Sequence, residues 1–313
     1  TTAEVGVARI RELYEAGDYL GAYEVAKGLG PMSRWPGAAA KTLAGRLAWQ
    51  LGATRLGLAL PLRAWRDDPK DPEAAYYRAA TMLGRRGPLA TWRFLARVGP
   101  LEGASDEVRS DWEATHALAL AGLRDFERAA RRLDEAERIA PGRAWLRVER
   151  SSLLEAQDRC PEALAAAEEA LALRPWYRPA QLASLQAEAG MSAEAAASLD
   201  RYEALSPMID ATAARWVAGR RSDLAHRMGD LAAAVEHARR AGDGFFKEVA
   251  ARMEAAPADA RDVRLAVPFV RQHHLTCAPA TLTALARFWG RDADHLEVAE
   301  AICYDGTPDH RER

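Results

Sequence analysis

Apolar residues recur at three- and four-residue spacing along this chain, and Ala, Leu, Arg and Glu fill nearly every segment up to about residue 256. A stripe of that period turns one face of a helix inward and leaves the other to water. It is broken at regular places. One unit ends at Pro141, the next 34 residues later at Pro175, and a further one 32 residues later at Pro207. Inside each unit a short polar turn opens a second helix. The turns are Asp125-Phe126-Glu127-Arg128-Ala129, Asp158-Arg159-Cys160-Pro161-Glu162-Ala163, Gly190-Met191-Ser192-Ala193-Glu194-Ala195 and Gly229-Asp230-Leu231-Ala232-Ala233-Ala234. Upstream, Gly17-Asp18-Tyr19-Leu20-Gly21-Ala22 has the same form. Gly or Asp supplies left-handed backbone or a helix cap there. An apolar residue follows to pack into the hairpin, and the Ala lets two helices approach closely. Leu133, Ala136, Leu199 and Tyr202 continue the buried stripe, and the terminal Pro stops the helix.

The first third is less regular. Gly45, Gly52, Ala64 and Pro69 fit one unit, but Pro61 falls inside its second helix, where a kink or break is expected. Pro88 opens a helix after a turn at Gly87.

These residues resemble the tetratricopeptide repeat family over about 3–242, most clearly over 105–242. The resemblance implies an all-α fold, an α-solenoid of about seven helical hairpins whose concave side binds a peptide or a partner protein. The expected organisation is a superhelix over 1–242, a capping helix and linker over 243–262, and a separate segment over 263–313. In the expected register the first helix of each unit lines the groove, placing Trp145, Tyr177 and Trp216 at one early position, with Trp112 a residue away. Flat aromatics offer contact area at low entropy cost. The same residues also suit structural packing, because the family carries a Trp near this position. Arg220, with Arg215, Arg221 and Arg227, suits an acidic peptide or a solvated helix face.

Charge adds little to this picture. A formal net charge of −2 over 313 residues gives no ground for nucleic acid or an anionic membrane as partner. No apolar run is long enough for a membrane span and no secretion signal is visible, and three cysteines are too few for a disulfide framework. A reducing cytoplasm is the expected setting, and the Ala/Arg richness suits a bacterial source. No cofactor is expected.

Beyond Pro257 the pattern changes. Residues 264–270 read as a short strand, followed by Gln272, Cys277, Pro279 and a helix with Leu282, Leu285, Ala286 and Trp289 on one face, stopped by Gly290. Cys277 stands at the helix start, where free N–H groups and the dipole favour thiolate, and Gln272 is placed to donate to an oxyanion. Val267-Pro268, Gln272, Cys277, Pro279-Ala280, Leu282 and Phe288-Trp289-Gly290 resemble the start of a papain-like cysteine peptidase, of the kind that removes double-glycine leaders from bacteriocins. The resemblance implies a Cys277 nucleophile and a Gln272 oxyanion residue. Ala278 replaces the family's Gly after the Cys. The family's His comes many tens of residues later, whereas 36 residues follow Cys277 here. His273, His274 and His295 do not take its place. The expectation is therefore a binding scaffold joined to an incomplete peptidase segment that is inactive alone. The alternatives are an active cysteine peptidase in a longer chain or a decayed one kept for binding. For Cys277 itself an inert buried thiol, a disulfide with Cys303 and a metal site with His273 and His274 also remain open. Cys160 is expected in the core.

Overall fold

The computed structural model describes residues 2–174, 179–242, 244–257, 260, 263, 265–270, 272 and 276–302. All regular structure within them is helical. Six hairpins are built from separate helices: α1 Thr2–Glu15 with α2 Tyr19–Gly28, α3 Ala38–Gln50 with α4 Thr54–Asp67, and, after α5, α6 Asp106–Gly122 with α7 Phe126–Ile139. The rest are α8 Ala144–Ala156 with α9 Cys160–Leu173, α10 Ala180–Glu188 with α11 Ser192–Ala204, and α12 Ala211–Arg227 with α13 Leu231–Ala241. The third hairpin in chain order is α5, Pro72–Val98, folded in two at Gly87. A final helix, α14 Phe245–Ala255, packs on α13.

One residue per hairpin adopts left-handed backbone at the internal turn: Gly17, Gly52, Gly87, Arg124, Asp158, Gly190 and Gly229. These seven positions recur every 32 to 39 residues, around the 34-residue tetratricopeptide period. Five residues after the turn the second helix crosses the first at its closest point. Ala22, Ala129, Ala163, Ala195 and Ala234 occupy that place with no exposed surface. In the second hairpin it is Gly57, where a Cβ would lie 3.0 Å from the Trp49 Cα. Only small residues fit such a crossing. Three buried serines stitch helices together there: Ser151 Oγ donates to the Ala163 carbonyl at 2.7 Å, Ser222 to Ala234 at 2.9 Å and Ser110 to Ala136 at 2.9 Å. Asp18, Asp71, Asp125, Asp210 and Asp230 cap helix N-termini by accepting backbone N–H groups.

The prolines resolve differently from one another. Pro88 starts the second limb of α5, as its ring favours. Pro61, where a kink or break was expected, lies inside α4, which does not break there. Its ring sits over Gly45 of α3, where a Cβ would come within 2.8 Å of the Pro61 Cδ. The glycine makes room for the ring, so the helix runs on. Gly122 faces Pro88 in the same way, at 2.8 Å from the Pro88 Cβ.

The C-terminal segment corrects a second expectation. Residues 265–270 are irregular rather than a strand. An isolated strand leaves its backbone N–H and C=O groups without a ladder. Helices α15 Cys277–Phe288 and α16 His295–Ile302 then form a small hairpin. Asp294, at its tip, caps α16 and lies within electrostatic reach of Arg124 in the α6–α7 turn.

Candidate functional site

The solenoid curls until its second hairpin meets its sixth and seventh. At that junction the Met208 N–H donates to the Leu51 carbonyl at 2.8 Å, and the Asp210 N–H donates to Gly52 at 3.1 Å. The Asp210 carboxylate finishes the closure. Oδ1 accepts from Thr212 and Ala213, capping α12, while Oδ2 accepts the Arg55 N–H of α4 at 2.7 Å. One side chain thus caps two helices 155 residues apart. Burial raises its pKa, but the backbone N–H groups of Arg55, Ala213 and Thr212 outweigh that and lower it. Gly52 is required on the other side: its φ is +91°, and a Cβ would sit 2.9 Å from Ser206 and 3.0 Å from Ile209. The second hairpin is therefore tied to the loop before α12, and the concave face lies inside that junction.

A cavity of about 970 Å3 reaches Trp49 and Gln50, beside that junction. Its wall comes mainly from the first helices of successive hairpins, α1, α3, α5, α6 and α8. A second cavity of about 470 Å3 continues toward α10 and α12, and Trp49, Gln50 and Trp145 line both. Volumes of this size hold ligands. The wall is aromatic and ionic together: Tyr14, Tyr76, Tyr77, Trp49 and Trp145 alternate with carboxylates and guanidiniums.

The guanidiniums are committed within the wall. Arg46 lies over the Tyr14 ring at 4.4 Å and donates to Glu73 at 2.6 Å and Glu15 at 3.0 Å. Burial opposes its charge, but Tyr77, Tyr14, Glu73 and Glu15 more than compensate and raise its pKa. Arg143 donates to both Asp111 oxygens at 3.0 and 3.1 Å and pairs with Glu107 at 3.1 Å. Even so, burial lifts the Asp111 carboxyl to about 7, against the pull of Arg143 and Arg46. Glu149, one turn into α8 and 7% exposed, is lifted to about 8 by burial and then by Asp111.

The expected ligand residues divide. Trp145 lines both cavities, and Trp216 lines the smaller one beside Tyr202, ring centroids 5.4 Å apart. Trp112 lines neither cavity. It is 3% exposed and packs edge-on against Phe94 and His116, a core residue. Tyr177 lies outside the described residues. Arg220 lines neither cavity and faces Asp223 on its own helix. Its neighbour Arg221 bridges to Asp200 and Glu203 of α11, and Arg227 donates to the Ala187 carbonyl of α10. Arg221 and Arg227 are thus spent joining hairpins. Trp49, Tyr76, Asp111 and Glu149 were not singled out from sequence, although each sits on a first helix of its hairpin.

In the C-terminal hairpin Cys277 is the first residue of α15 and exposed, and Gln272 is exposed five residues earlier. Among the described residues His295 is the one histidine in this hairpin, and it is buried at the start of α16. His273, His274 and Cys303 lie outside the described residues. Cys160 is half-buried at the start of α9. Leu282, Leu285 and Trp289 leave an apolar face open on α15. No described helix is long and apolar enough to cross a membrane.

The hairpins, their period and their left-handed turns define a superhelix of the tetratricopeptide type. Two solved structures agree in fold. A human IFIT1 dimer with PPP-AAAA matches 96% of this chain and 71% of its own at 14% identity, TM-score 0.53. The APC/C hetero-tetramer Cut9–Hcn1 matches 78% of this chain and 48% of its own, at 14% identity and a TM-score of 0.50. A tetratricopeptide repeat protein from Parabacteroides merdae matches 80% and 96%, at 16% identity and a TM-score of 0.43. No protein-family model and no curated protein sequence matches the chain.

Proposed function

We propose that this chain is a protein-interaction scaffold whose concave face holds a segment of a partner polypeptide in the larger cavity. The carrying observation is that successive first helices turn Tyr76, Tyr77, Trp49 and Trp145 into one cavity of protein-ligand size, with a second beside it that Trp49 and Trp145 also line. Aromatic walls with scattered charges suit an extended polypeptide, which offers side chains and backbone polar groups in alternation. The ionic lining argues against a strongly anionic ligand. Glu15, Asp71, Glu73, Glu107, Asp111 and Glu149 face four arginines, and Arg46 and Arg143 already hold carboxylates.

Plugging the cavity tests the reading. Gly84 lines it from α5, and a Cβ there meets nothing within 4 Å. A random-peptide display library selected on the wild-type protein is expected to yield binders that Gly84→Trp loses and Gly84→Ala keeps. Binders indifferent to Gly84→Trp, or no enrichment at all, overturn the cavity as the binding site.

A second reading, thiol chemistry at Cys277, rests on its exposure at the first position of α15. With Gln272 as oxyanion donor it would describe one half of a cysteine peptidase site, the base coming from elsewhere. A maleimide probe at neutral pH is expected to label Cys277 faster than Cys160. Equal slow labelling of both thiols removes the support for this reading.

A further inference from the structure

We propose that Glu149, with Asp111 beside it, seats a positively charged group, the ammonium or guanidinium of a basic side chain on the bound polypeptide. The proposal rests on the reading of the cavity as a polypeptide site and adds what that site selects. Glu149 is 93% buried by its 7% exposure, lines the larger cavity, and makes no hydrogen bond or ion pair with a described residue. Its nearest charged influence is Asp111, a second carboxyl that repels it. Folded proteins rarely leave a buried carboxyl in that condition, because an unpaired charge in low dielectric is costly and a glutamine would not carry the cost.

The surrounding groups sharpen the selection. Asp111 comes from α6, Tyr76 and Tyr77 from α5, Arg46 from α3, and Arg143 from the turn before α8. Both arginines are engaged elsewhere, Arg46 with Glu15 and Glu73, Arg143 with Asp111 and Glu107. Neither forms an ion pair with Glu149. A ligand cation is what the cluster lacks, and Tyr76 and Trp145, both in the wall, add aromatic surface on which a cation is held favourably. An anionic ligand meets two carboxyls at the same spot.

Proton balance gives the site a signature. Near neutral pH the Glu149 carboxyl, lifted to about 8, holds its proton. A bound cation favours the carboxylate, so the proton leaves to the buffer as the ligand enters. Affinity for a cation therefore rises with pH up to that value.

Blocked pentapeptides with Arg, Lys, Gln or Glu at the centre and Ala elsewhere test this by isothermal titration calorimetry against wild type and Glu149→Gln. Arg and Lys peptides are expected to bind roughly 10-fold tighter than Gln. They should release a proton, read as a buffer-dependent heat, and should lose both preference and proton release in Glu149→Gln. Agmatine, a free guanidinium, is expected to bind far more weakly than the Arg peptide. Equal binding of Arg and Gln peptides sinks the cation seat while leaving the polypeptide reading intact. Agmatine binding as tightly as the Arg peptide overturns the polypeptide as the source of the cation. Binding of none of the peptides overturns both readings. Thermal denaturation of Glu149→Gln separates lost recognition from lost folding, and that variant is expected to be at least as stable as wild type.

Discussion

Asp210→Ala asks how firmly the junction between the second hairpin and the loop before α12 is shut. The substitution removes the α12 cap, which is worth about 1 kcal/mol. It also strips the acceptor from the Arg55 N–H of α4, a charge-assisted bond of about 1.5 kcal/mol. A loss of about 2–3 kcal/mol follows if the two roles add. Asp18→Ala and Asp230→Ala each remove one cap and should cost about 1 kcal/mol. Asp210→Asn keeps a single acceptor and should fall between. Urea denaturation gives the free energies, and hydrogen exchange over residues 52–58 and 208–214 reports the opening directly. The pH dependence has a definite sign. The folded pKa of Asp210 is lowered, so its contribution is complete above the unfolded value of about 4 and fades as pH falls through the folded one. The gap between wild type and Asp210→Asn should close in acid. Were Asp210→Ala no worse than Asp230→Ala, with exchange at residues 52–58 unchanged, the carboxylate would not be holding the junction.

Other expectations are briefer. Glu149→Gln should stabilise the protein by on the order of 2–4 kcal/mol above about pH 8, with no gain near pH 4, because a carboxyl whose folded pKa is raised costs stability as pH climbs past its unfolded value; thermal melts across pH check this. Arg124→Gly should stabilise by about 1 kcal/mol, since Arg124 holds φ at +62° where an L-residue is strained, and urea unfolding reads it. Gly84→Ala should add about 0.5–1 kcal/mol in the same assay, being a helix-interior glycine with open space around its Cα. Arg46→Met should cost about 3–5 kcal/mol by leaving Glu73 and Glu15 without their partner in the wall.

The hairpins were legible because their determinants are local. A turn that needs left-handed backbone, an Ala five residues later and a capping Asp all lie within one short stretch of chain. Seven such turns, five of them followed by that Ala, announce the fold even where the period drifts. Pro61 misled because its accommodation depends on Gly45, sixteen positions earlier and on another helix. The junction was invisible for a like reason. Nothing about Gly52 or Asp210 alone says that they meet; the accumulated rotation of four intervening hairpins brings them together. The cavity wall shows the same divide. Trp145 and Trp216 stand out in the sequence as aromatics at a repeated position and line the cavities, whereas Trp112, one position away, lies in the core. Glu149 and Asp111 look like ordinary surface carboxylates in a chain that is 28% charged, and only burial distinguishes them.

The junction between Gly52 and Asp210 also governs access. A horseshoe admits its guest sideways, anywhere along the guest's length. A loop fastened at both ends is a needle's eye, open to free chain termini and unfolded tails but not to the middle of a globular partner. On the proposed reading, a polypeptide held inside would enter and leave by threading or by parting that junction, which rests on two backbone hydrogen bonds and one aspartate.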